Sequence, residues 1–98
     1  FGGKKLLILG GDYVGPEYQK QLPSHNLQVT WKSGFENLGH VGESLKNFDL
    51  IVIILRQISH TLLRETVAAA EKQNAKLFYS KKRGISGLLS ELKTFFQV

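Results

Sequence analysis

Three short stretches of this 98-residue chain hold the residue types that chemistry needs. The first is Gly10-Gly11-Asp12-Tyr13-Val14-Gly15, directly after an apolar run. It matches the dinucleotide fingerprint G-x-G-x-x-G at its outer glycines, but Asp12 takes the middle position. That glycine lets backbone approach a pyrophosphate, and a carboxylate in its place repels one. No acidic residue closes the second strand to hold a ribose, since Lys32 and Ser33 stand there. The segment therefore predicts a tight turn with Asp12 capping the next helix, or a ligand-contacting loop, ahead of a nicotinamide site.

The second stretch is Arg56-Gln57-Ile58-Ser59-His60. Ser59 is a natural N-cap and sets His60 in the first helical turn, where its imidazole could act as a ligand or acceptor. A locally bonded helix-start histidine is the plainer alternative. The third stretch, Ser80-Lys81-Lys82-Arg83-Gly84, precedes a helix expected to begin near Ser86. Its cations and the free N–H groups of that helix could cradle an anion, unless the loop is simply solvated. His25 and His40 lie in polar surroundings and read as surface residues, and Trp31 reads as core. No nucleophile–base–acid set is visible: Ser59 and His60 are adjacent at a helix start and point apart. The absence of cysteine excludes disulfides and thiolate metal sites.

The elements that must position these loops follow from hydrophobic patterning. Leu6–Leu9 and Leu50–Leu55 are unbroken apolar runs, as expected of parallel strands buried on both faces. Leu27–Trp31 alternates and has one wetter face, and Lys76–Tyr79 is a fourth strand. Pro16 suits a first helical turn, and Pro23 closes a short helix through Glu17–Leu22. Leu38, Val41 and Leu45 keep a helical spacing. A helix from Ser59 to about Gln73 turns Leu63, Val67 and Ala70 to one face, and a last helix runs from about Ser86 to Phe96. Strand–helix alternation means right-handed crossovers. The fold class is α/β: a three-layer, Rossmann-like or flavodoxin-like open parallel sheet of about four strands in the order 2-1-3-4. Ligands of such sheets sit beyond the strands' carboxyl ends, where the order reverses. All three stretches converge there.

With 42% apolar and 21% charged residues, the composition fits a folded domain and excludes a disordered tail. Residues 1–98 read as one domain, excised from a longer protein if the start at Phe1-Gly2-Gly3 is any guide. No apolar run approaches the roughly 20 residues that span a bilayer, and no signal peptide is visible. A cytoplasmic, cysteine-free protein is expected. The net charge of +5 favours anionic partners.

Leu9-Gly10-Gly11-Asp12, Trp31-Lys32-Ser33-Gly34, Phe48-Asp49-Leu50-Ile51-Val52, Ser59-His60 and Lys82-Arg83-Gly84-Ile85-Ser86-Gly87-Leu88 occur in one order that resembles the bacterial family known as domain of unknown function 2325. The resemblance spans nearly the whole chain. It implies a Rossmann-like domain, found alone or joined to other modules, with haem binding and oxygen response in some members and His60 as the leading functional residue. The chain departs from the family pattern at Lys32, Phe35 and Arg56-Gln57, where many members carry a histidine, a glycine and an aspartate–cysteine pair. Those departures weaken a metal or haem role and make the crevice more cationic.

The reading that results is a non-catalytic ligand-binding or regulatory domain. Its site comprises Gly10, Gly11, Asp12, Lys32, Arg56, Ser59, His60, Lys81, Lys82 and Arg83, for a small anion, a nucleotide, or haem by family analogy. A nucleic-acid-binding module using the same cations is the rival, and a degenerate dinucleotide-binding enzyme comes third. A homodimer is expected through the apolar set Leu88, Leu89, Leu92, Phe95 and Phe96 of the last helix.

Overall fold

In a computed structural model, residues 3–12, 14–35, 45, 47–55, 57–81 and 84–96 are described, without the side chains of Ser24 and His25. Strand β1 (Lys4–Leu9) leads to a short helix α1 (Pro16–Gln21), a 3-10 turn (Leu22–His25) and β2 (Leu27–Lys32). β3 (Leu50–Ile54), α2 (His60–Gln73), β4 (Leu77–Ser80) and α3 (Gly84–Phe96) follow. All pairings are parallel and the order is β2-β1-β3-β4, as the patterning predicts.

The unbroken apolar runs sit where both faces are covered. β1 and β3 are central, with Leu6–Leu9 and Leu50–Ile54 buried. Leu6, Ile8, Leu50, Val52 and Ile54 pack under α1 and α3, against Tyr18, Leu88 and Leu92. Leu7, Leu9, Ile51 and Ile53 face the other side, with Leu45 and Ala70. Each aliphatic side chain so buried contributes roughly 1.5–3 kcal/mol. Helices on opposite faces, with α1 and α2 leaving the sheet at the β1–β3 junction, make this a doubly wound α/β sheet.

Three details differ from expectation. The most buried stripe of α2 is Leu62, Thr66 and Ala70, while Leu63 and Val67 are half-buried. Thr66 and Ala70 are small enough to let the helix lie close on the sheet, and the threonine hydroxyl disguises a core position in a polarity count. That hydroxyl has no hydrogen-bond partner among the described residues. Helix α3 begins at Gly84, two residues early, because a left-handed glycine (φ 76°) turns the chain into it. α3 also commits more of its apolar set to its own sheet than expected: Leu88 and Leu92 are buried there and Leu89 and Phe96 pack beside them, leaving Phe95 exposed. Of the helix expected near Leu38 and Val41, only Leu45 is among the described residues. No helix among them is long and apolar enough to cross a membrane.

Candidate functional site

Gly10 and Gly11 end β1 with φ of 94° and 64°, a left-handed pair that side chains disfavour. The Gly11 carbonyl accepts the N–H groups of Val14 (2.9 Å) and Gly15 (3.0 Å), closing a turn. Gly15 gives the Trp31 indole its room: a Cβ there would lie 2.6 Å from the ring. The indole Nε1–H in turn donates to the Gly10 carbonyl at 2.8 Å. Trp31 therefore packs on the core, as expected, and also braces the glycine loop. The outer glycines of the fingerprint thus serve a turn and a tryptophan.

Asp12 does not cap α1. The cap position is Gly15, without a side-chain bond, and the Asp12 carboxylate instead accepts the Ser33 hydroxyl and the Gly34 N–H (2.8 Å). The Ser33 hydroxyl also accepts the Phe35 N–H at 3.1 Å. This fastens the loop after β2 to the loop after β1. Gly34 then reaches β3: its carbonyl accepts the Ser59 N–H at 2.8 Å, and a Cβ on it would fall 1.9 Å from the Gln57 carbonyl oxygen. Gln57 itself is left-handed (φ 58°). The β2 loop therefore crosses the end of β1 and lies on the β3 loop, a crossing the three stretches read from the sequence did not include. Ser33, Gly34 and Gln57 take part although the sequence reading, which quoted them, gave them no role in the site. Asp12 and Ser33 were complementary partners in plain view, but 21 residues apart.

Ser59 caps α2 as predicted, its hydroxyl accepting the Leu62 N–H at 3.1 Å. His60 follows, exposed in the first turn. Lys32 is half-buried, its carbonyl accepting the Gly10 N–H (3.2 Å), and Lys81 is exposed past β4. The ends of β3 and β4 are joined by the Leu55 N–H on the Ser80 carbonyl (3.0 Å). Asp12 and Ser59 thus come together through Gly34, and Gly10 is bound to the end of β2 through Trp31 and Lys32, while His60 and Lys81 stand outside that knot. Arg56, Lys82 and Arg83, and likewise His40 and Tyr13, lie outside the described residues.

Haem needs an apolar slot around its axial ligand. His60 is exposed at a helix start instead, and no group of three or more His, Asp or Glu side chains that could hold a metal occurs among the described residues. The described residues do not fit an enclosed haem.

The sheet order and the loops at its carboxyl edge define a doubly wound α/β protein of the Rossmann-like kind. Within that class the chain belongs to the family described as an uncharacterised protein conserved in bacteria (DUF2325), matched over residues 5–95. It is also similar to a UPF0751 protein of Desulfitobacterium hafniense strain Y51, with 28% identity over 93 residues that cover 91% of each chain. No solved structure matches.

Proposed function

We propose that this is a non-catalytic ligand-binding or regulatory domain that receives a small anionic group, such as a phosphate, at the carboxyl ends of β3 and β4. His60 and Lys81 are its contacts, with Arg56, Lys82 and Arg83 as further cations. The observation that carries this reading is the first turn of α2. Ser59 takes the Leu62 N–H with its hydroxyl and the Leu63 N–H with its carbonyl. The first-turn donors it does not take are those of His60 and Thr61, beside an exposed imidazole, at a helix end whose dipole favours negative charge. The β1 end is less suited, because a carboxylate occupies the loop where a phosphate would approach.

Titration with inorganic pyrophosphate, followed by amide NMR, tests this. The largest shifts are expected at His60, Thr61 and Lys81. His60→Ala should weaken binding several-fold at every ionic strength, because it removes a directional bond. The paired change Lys82→Ala, Arg83→Ala should matter mainly at low salt, since exposed charges are screened within about 8–10 Å at physiological ionic strength. Shifts confined to residues 10–15, or none at all, would overturn the assignment. If the paired change weakens binding to DNA of any sequence while His60→Ala does nothing, the basic surface belongs to nucleic acid instead.

A further inference from the structure

The free edge of β4 carries an inference that goes beyond the anion site. Among the described residues β4 pairs only with β3. The Ile51 N–H donates to the Lys76 carbonyl and the Leu55 N–H to the Ser80 carbonyl. In a parallel ladder this turns the peptide groups of Phe78 and Ser80 toward β3 and those of Leu77 and Tyr79 away from it. Exposed edges are normally blunted by proline, a bulge or a charge within the strand. Leu77-Phe78-Tyr79-Ser80 has none of these. Tyr79 is 46% exposed and Phe95, stacked edge-on to Phe78 with centroids 5.6 Å apart, is 37% exposed. Beside them a cleft of about 360 Å³ is lined by Phe78, Glu91, Thr94 and Phe95.

We propose that this edge docks a second copy of the chain, β4 against β4, to give a continuous eight-stranded sheet. A two-fold pairing of one strand with itself is antiparallel. Centred on Phe78, it sets Leu77 opposite the partner's Tyr79 as a hydrogen-bonded pair, and Tyr79 opposite the partner's Leu77. That register satisfies both outward-facing residues of each strand with residues of the other strand. It places Phe78 against the partner's Phe78 as a close, non-hydrogen-bonded pair. It also sets Ser80 opposite the partner's Lys76 on the α3 face. The Ser80 hydroxyl donates to Glu91 at 2.6 Å, and Glu91 is the one acidic residue of α3. The partner's Lys76 ammonium therefore meets the Glu91 carboxylate at the rim of an aromatic cleft, twice by symmetry. This charge match is what selects a second copy as the occupant, in a chain otherwise rich in cations.

Sedimentation of the full chain at micromolar to high-micromolar concentration, with hydrogen exchange read at single amides, tests the proposal. A dimer is expected, with the Leu77 and Tyr79 amides gaining protection as concentration rises. Lys76→Glu should weaken it at least about tenfold, and adding Glu91→Lys should recover most of that loss, since the pair is then reversed. A chain that stays monomeric, or a dimer whose Leu77 and Tyr79 amides exchange equally fast at all concentrations, would refute it. So would a folded Lys76→Glu variant that dimerises unchanged. If that variant does not fold, the amide protection of the unmodified chain decides alone.

Discussion

The two edges of the sheet are built differently. At β2, the Trp31 N–H that points outward is taken by the Gln19 side chain at 3.2 Å. The Trp31 indole holds Gly10, Asp12 holds Ser33 and Gly34, and Gly34 holds Ser59. At β4, Leu77 and Tyr79 turn their peptide groups away from β3, flanked by Lys76 and Lys81 beyond the strand ends. At β2 an outward N–H finds a partner within the chain; at β4 the outward groups of Leu77 and Tyr79 find none among the described residues, beside exposed aromatic surface. Residues on the first side should matter to folding, and residues on the second to association.

The largest effect is expected at Gly34. A methyl group there meets the Gln57 carbonyl oxygen at 1.9 Å, backbone that cannot move aside without dismantling the loop. Gly34→Ala should cost roughly 3–5 kcal/mol by denaturant titration, in the range reserved for severe backbone or packing conflicts. A loss below about 1 kcal/mol would show that the β2 loop does not need its contact with β3. Next, Asp12→Gly should cost about 2 kcal/mol, because it removes a charged acceptor from two donors and leaves them part-buried. A helix cap would cost only a few tenths for the same change, so the two roles are separable in one melt. The smallest effect belongs to the other edge: Tyr79→Thr should change the stability of the dilute chain by less than about 0.5 kcal/mol, as surface substitutions do. A larger loss there would mean that β4 is as closed as β2, and the contrast would fail.

Much of the fold could be read from local pattern. The doubly apolar runs of β1 and β3 announce central parallel strands, and Ser59 announces a helix start, because each signal lies within a few residues of its effect. The interior of the candidate site could not be read that way. Asp12 finds its partners 21 and 22 residues away, and Gly34 finds Ser59 a further strand along, so local capping rules name the wrong donors for the carboxylate. The Trp31 indole illustrates the same limit. Its burial is visible in the alternation of β2, but its bond to Gly10 depends on the register of β1 with β2.

The crossing of the β2 loop over β1 also has a consequence in time. Its bonds join three segments that must already be aligned as strands, so the entropy of closing those loops has been met before any of them can form. The crossing is then expected to act as a latch, shut late in folding and opened early in unfolding. Losses such as that of Asp12 should accordingly appear as faster unfolding with refolding little changed, which the two arms of a chevron plot distinguish. The life span of the native state, more than the ease of reaching it, is then expected to depend on the place where one glycine lies across another strand's end.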